Sequence, residues 1–255
     1  MKKIIIISAA LLAALTASPA AAGGLAPENS CYTSETTHKD YHKAIEAAEK
    51  ATGRQMEYIG KRTYFYQPYY IVKAIRKSKG LPNLYAVPAE GFKKVFAMED
   101  IGKNTLTGTE TYAFYETTPF QDTKKEVSEA VRKLWWSVSG FRKEDGIRNK
   151  SDLEKSYKET FTDEFSKELM ETDAFEESGG MLHPKAGRGA DITLGHVRIE
   201  LSSETPEERI FKVKAQHIDT EAGKGVYLVE HERNYEYRQI NENGKWRFQK
   251  IKLYF

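Results

Sequence analysis

The chain holds one cysteine and six histidines, so the side chains able to act as nucleophile, base or metal ligand can be weighed singly. Cys31 lies among Gly, Pro, Asn, Ser and Thr residues, where no rigid element holds a base against its thiol as thiolate catalysis requires. A lone cysteine also forbids an intramolecular disulfide, so the fold must rest on a packed core. His38 and His42 are spaced to share a helix face, but no third ligand is marked by spacing, and surface histidines with no metal and no cofactor are expected. His217 and His231 fall in neighbouring strand-like segments beside Asp219, Glu230 and Glu232. That set becomes a polar site only where register brings it together; cross-strand surface pairing is the simpler expectation. The sequence contains no Gly-x-Ser-x-Gly elbow, glycine-rich phosphate loop or His-Glu-x-x-His helix. A non-enzymatic binding protein is therefore expected, with a hydrolase built on His217 and His231 ranked last.

Two other features bear on binding. Tyr58, Tyr64, Phe65, Tyr66, Tyr69 and Tyr70 crowd residues 58–70. Flat rings of this kind either cover sugar faces or fill half-buried strands, and packing is the expected use. The second feature is the loop Pro184, Lys185, Ala186, Gly187, Arg188, Gly189, Ala190, Asp191, set between an acidic helix and the first clear strand. Gly187 and Gly189 tolerate positive φ, so the loop can turn tightly with Arg188 in water or project as a wedge into another protein's cleft. Spacing alone favours the tight connection.

The elements that must position these residues change character along the chain. Residues 39–51 have helical composition, with Gly53 as a stop. Segments 58–72, 84–87, 93–98 and 109–115 look like strands punctuated by Pro68, Pro82 and Pro88. From Thr123, which with Glu126 makes a capping box, Val127, Ala130, Val131, Leu134, Trp135 and Val138 recur at helical spacing up to Gly140. Ser151 with Glu154 opens a second helical stretch, and Thr162 before Asp163 and Glu164 can cap a third. Period two then takes over at Val197, Ile199 and Leu201, at Phe211, Val213 and Ala215, and at Val226 and Leu228. Asn243-Gly244 marks a hairpin into a closing strand over residues 245–255, with a bulge expected midway. The expected class is α+β, with helices packed on one face of a curved antiparallel sheet over residues 123–255 and a further aromatic-rich α+β region over 38–122.

Residues 1–22 have the three parts of a cleavable export signal: Lys2 and Lys3, an apolar stretch over 4–16, and Ala20-Ala21-Ala22 before the cut. The apolar stretch is broken by Ser8 and is shorter than the roughly 20 residues of a membrane span, so no stable membrane anchor is expected. Residues 23–37 read as a flexible leader. Cleavage removes two lysines and no acid, leaving 37 basic against 37 acidic side chains, and a neutral surface gives no support for nucleic-acid binding. An extracytoplasmic protein, secreted, wall-associated or periplasmic, is the expectation.

At the loop the chain resembles the IseA-type inhibitors of cell-wall DL-endopeptidases. The likeness covers about residues 123–255. It runs through Trp135-Trp136-Ser137-Val138-Ser139-Gly140, the helical stretch 157–169, and Gly180-Met181-Leu182-His183-Pro184. Beyond the loop it continues with Gly195, the strand Val197-Arg198-Ile199-Glu200-Leu201, and the end Glu242-Asn243-Gly244-Lys245-Trp246-Arg247-Phe248. The resemblance implies a cystatin-like α+β module that inserts a loop into the cleft of an NlpC-type peptidoglycan endopeptidase. Lys185, Ala186, Gly187, Arg188, Gly189 and Asp191 would make the contact. Where the family loop reads Ala-Asp-Gly-Gly, Gly187 stands at the acid and Arg188 at the first glycine, so the loop is cationic, with Asp191 four residues on. The alternative kept beside this is an NTF2-like envelope protein that binds a small ligand or glycan.

Overall fold

The computed structural model describes residues 40–104, 107–117, 121–185 and 194–251; the expected signal, the leader with Cys31, and His38 lie outside them. Helix α1 (Tyr41–Thr52) leads into β1 (Met56–Tyr64), β2 (Gln67–Ala74), β3 (Leu84–Pro88), β4 (Phe96–Lys103) and β5 (Glu110–Glu116). Three helices follow, α2 (Gln121–Ser139), α3 (Lys150–Thr160) and α4 (Asp163–Glu171), then the small hairpin β6 (Phe175–Ser178) and β7 (Met181–Pro184). The chain closes with β8 (Leu194–Glu204), β9 (Glu208–Ile218), β10 (Val229–Glu242) and β11 (Lys245–Phe248).

Nine of these strands form one open sheet in the order β1-β2-β3-β4-β5-β8-β9-β10-β11, and every neighbour is antiparallel except β5 with β8. The α+β class holds, but the curved, wholly antiparallel, cystatin-like sheet does not: the sheet is mixed and is not curled. The cause is the connection from β5 to β8, which takes in three helices and a hairpin and so returns β8 in the same direction as β5. The sheet is continuous across residues 122 and 123, because Ala113, Phe114 and Tyr115 of β5 pair with Val197, Arg198 and Ile199 of β8.

Alternation explains which face each strand buries. Tyr70, Val72, Ala97, Ala113, Tyr115, Val197, Ile199, Phe211 and Val213 point into a core shared with Val127, Val131, Leu134 and Trp135 of α2. Their neighbours Tyr69, Ile71, Phe96, Met98, Tyr112 and Phe114 fill a second core on the opposite face, with Tyr64 and Phe65. The middles of β2, β3 and β5 are therefore buried on both sides and look like apolar runs, whereas β4 is interrupted by Glu99 and Asp100. At the bulge between Asp100 and Gly102 the backbone runs beneath Trp135; a Cβ on Gly102 would lie 2.3 Å from Trp135 Cδ1.

Several helix boundaries differ from the expected ones. Helix α2 already runs at Gln121, so Thr123 is inside it, and Glu126 accepts a 2.6 Å hydrogen bond from Gln239 Nε2 in β10. Asn149, two residues ahead of the expected Ser151, caps α3 by accepting from the Asp152 N–H at 3.0 Å. Thr162 caps α4 as expected, accepting from the Phe165 N–H at 3.4 Å. Asn243 and Gly244, at φ 57° and 84°, make the expected turn, but β11 ends at Phe248. The change of parity in the sequence therefore marks the end of the strand: Phe248 and Ile251 both reach the core, and Ile251 lies beyond β11. Val226 and Leu228 precede β10 in the connection from β9.

Candidate functional site

Of the expected contact loop, Lys185 is placed; Ala186, Gly187, Arg188, Gly189 and Asp191 lie outside the described residues. Both ends of the loop are fastened to rigid structure. The Lys185 N–H donates to the Ala174 carbonyl at 2.9 Å, and its ammonium pairs with Asp173, itself at φ 52°. The β6–β7 hairpin is pinned in turn, because Leu182 is buried and its N–H donates to the Arg148 carbonyl at 3.1 Å. The turn of that hairpin is Gly179-Gly180, both at positive φ, which relieves the left-handed strain other residues would suffer there. At the far end Leu194 is buried and lies opposite His217 in the β8–β9 ladder.

His217 and His231 are brought together. They are cross-strand partners, and their rings stack with centroids 4.6 Å apart at 8°. His217 is buried, with Nε2 3.1 Å from the Tyr235 hydroxyl, and His231 Nε2 is buried without a hydrogen-bond partner. The acids expected beside them scatter. Glu230 comes only to 4.0 Å from His231 Nδ1. Asp219 accepts from the Glu221 N–H at 2.9 Å and caps a one-turn helix. Glu232, one residue from His231, points to the opposite face of the sheet, as strand alternation demands. The set is thus split between two faces and gives no convergent acid–base constellation. Among the described residues, no group of three His, Cys, Asp or Glu side chains is placed to hold a metal ion.

The face on which Glu232 lies carries a chain of polar contacts absent from the sequence expectations. The His196 N–H donates to the Tyr227 hydroxyl at 2.7 Å, and that hydroxyl donates to Gln216 Oε1 at 2.9 Å. Gln216 Nε2 donates to Glu232 Oε1 at 3.1 Å, and Glu232 Oε2 pairs with Lys214 at 2.6 Å. His196 is fully buried, and its Nδ1 accepts the Tyr112 backbone N–H at 3.1 Å. Burial pulls its pKa down to about 3, which keeps the ring neutral and Nδ1 free to accept. Gly195 makes room for this arrangement, since a Cβ there would lie 2.4 Å from the Tyr227 hydroxyl.

Above that face sits the tip of the β1–β2 hairpin. Its two turn residues, Phe65 and Tyr66, take φ of 48° and 62°, a geometry that Gly and Asn adopt freely and bulky residues do not. Each costs on the order of 1 kcal/mol. Phe65 gains burial in return, packing edge-on to Phe114 at 5.4 Å, while Tyr64 meets Phe114 at 4.8 Å and His196 at 5.0 Å. Tyr66 stays 57% exposed. No signal in the sequence marks residues 65 and 66 as a turn, because Gly, Asn, Asp and Pro are all missing from those positions.

No helix among the described residues is long and apolar enough to cross a membrane. No protein-family model and no curated protein matches the chain.

Proposed function

We propose that this chain is an extracytoplasmic, non-enzymatic protein that binds and inhibits or regulates an NlpC-type peptidoglycan DL-endopeptidase. The contact is the loop from Lys185 to Asp191. The supporting observation is the double fastening of that loop, at Lys185 through Asp173 and Ala174 and at Leu194 through the β8–β9 ladder. A segment held at both ends loses less freedom when it enters a cleft, so more of its contact energy remains as affinity. The helices α2 to α4 and the antiparallel strands β8 to β11 supply the rigid base, and they span the residues that resemble the IseA-type inhibitors. The export signal expected over residues 1–22 supports this reading, since the target works outside the cytoplasm.

The test mixes the purified mature chain with NlpC-type endopeptidases and follows lysis of isolated cell walls. Inhibition at modest molar excess is expected, weakened by Arg188→Glu and by Gly189→Val. Lysis that continues unchanged at large excess refutes the proposal.

A further inference from the structure

Between Glu57 and Glu90 the chain holds six basic residues, Lys61, Arg62, Lys73, Arg76, Lys77 and Lys79, and not one acid. In a sequence of 39 basic and 37 acidic side chains, that stretch is an island of positive charge. Its centre is the connection from β2 to β3, where residues 75–81 are all exposed. Arg76, Lys77 and Lys79 make no ion pair among the described residues. The nearest acids on the adjoining elements are engaged elsewhere: Glu57 pairs with Lys73 at 3.1 Å, and Glu49 accepts the Met56 N–H at 3.0 Å.

Two apolar side chains stand among these cations: Ile75 is 55% exposed and Leu81 37%. One exposed aliphatic side chain is ordinary on a folded surface. These two are set at the feet of a single loop that the fold holds in place. The Ala74 N–H donates to the Asn83 carbonyl at 2.9 Å, and the Ile75 N–H to the Gln55 carbonyl at 3.0 Å. The Arg54 guanidinium clasps both feet, donating to the Arg76 carbonyl at 2.8 Å and to the Pro82 carbonyl. Towards the tip, the Lys125 ammonium donates to the Gly80 carbonyl at 2.6 Å. Glu99 lies within the field of Lys125, so the excess charge is that of the loop's own three cations. A loop fastened in this way presents its side chains without having to be ordered first.

Charge and apolar surface together select the partner. A soluble polyanion would use the cations and leave Ile75 and Leu81 in water. An apolar peptide would use those two side chains and meet three uncompensated charges. A bilayer surface with anionic headgroups takes both, since the cations meet phosphates while the aliphatic side chains enter the interface beneath them. We propose that the β2–β3 loop is a peripheral docking site for an anionic phospholipid surface, with Arg76, Lys77 and Lys79 on the lipid phosphates and Ile75 and Leu81 among the upper acyl carbons. The contact is reversible, and it stands or falls without reference to the peptidase loop.

The purified mature chain, from Gly23, is mixed with sucrose-loaded vesicles of equal parts phosphatidylglycerol and phosphatidylcholine, or of phosphatidylcholine alone, and bound protein is read by sedimentation. Starting at Gly23 keeps the apolar run over residues 4–16 out of the measurement. Saturable binding to the anionic vesicles is expected, falling as salt rises, with little to the neutral ones. Each basic residue near such a surface strengthens binding about fivefold, so Arg76→Gln, Lys77→Gln and Lys79→Gln combined weaken it about a hundredfold. Ile75→Ser with Leu81→Ser keeps every charge and weakens binding about tenfold. All five positions are exposed, so these variants keep the wild-type Tm. Leu81→Trp keeps both charge and apolar surface; it binds, and its added emission shifts blue on the anionic vesicles. Absence of binding to anionic vesicles overturns the proposal, as does equal binding to neutral ones or a Leu81→Trp emission that does not move. Full binding by the double serine variant also overturns it, and would mark the loop as a site for soluble polyanions such as polyphosphate.

Discussion

Lys133 offers a sharp test of how the helical layer is packed. It lies on α2 at 9% exposure, donates to the Ser156 carbonyl of α3 at 2.7 Å, and sits 5.8 Å from the centre of the Trp136 ring. Burial outweighs the pull of Glu159 and Glu129 and lowers its pKa from 10.5 to about 8. Between those values the unfolded chain holds a proton that the folded chain has released, so stability rises with pH across the window from about 8 to 10.5. Below it both states are charged and the folded state carries the whole penalty. At ~1.36 kcal/mol per pH unit, that penalty is about 3 kcal/mol. Lys133→Met keeps the unbranched stem, removes the charge and gives up one hydrogen bond worth about 1 kcal/mol. The expected net gain at neutral pH is about 2 kcal/mol, or about 4–8 °C in Tm for a chain of this size. At pH 10 the wild-type chain has shed most of its penalty, and the two proteins should be nearly equal. Urea unfolding followed by tryptophan fluorescence at pH 7, 8.5 and 10 measures both quantities. A destabilised Lys133→Met at pH 7, or a gap that does not close with rising pH, refutes the assignment of a buried, strained ammonium.

Three further outcomes are expected. Gly102→Ala should cost about 2–3 kcal/mol, because the new Cβ meets Trp135 at 2.3 Å; the urea midpoint falls and the tryptophan emission shifts red. Gly195→Ala should cost about 2 kcal/mol by displacing Tyr227 and stranding the His196 N–H. In a Tyr227→Phe background the same change should cost less, and additivity within about 0.5 kcal/mol would refute that coupling. Asp145→Ala should cost about 3 kcal/mol, since the buried Asp145 carboxylate pairs with Arg132 and accepts the Arg142 N–H at 2.7 Å. Chemical denaturation at low and high salt checks it: a loss that disappears in 1 M salt would show the pair to be surface-screened.

Local chemistry was legible where it carried its own signal. Gly53 and Gly140 stop α1 and α2 in left-handed geometry, Thr162 caps α4, and Asn243-Gly244 turns the last hairpin. Periodicity also found the cores, since Phe211, Val213 and Ala215 all face α2's side of the sheet. Long-range decisions were not legible. The β5–β8 pairing joins residues more than eighty apart through three short contacts, and nothing near Ala113 or Val197 announces the partner. The turn at Phe65-Tyr66 was hidden because tertiary burial of Phe65 overrides turn preference, leaving an aromatic pair that looks like strand. The pairing of His217 with His231 depended on register, which the irregularity between Val229 and His231 resets by a residue.

The lone parallel pair also sets an order of events as the chain emerges N-terminus first. Strands β1 to β5 come first, and these antiparallel neighbours can zip in sequence as each emerges. Strand β5 then waits, its outer edge bare and its Ala113, Phe114 and Tyr115 apolar on both faces, until β8 arrives beyond three helices and a hairpin. That interval is when a second nascent copy could add to the edge, so the yield of folded protein should hinge on how soon α2 covers the strand and β8 seals it.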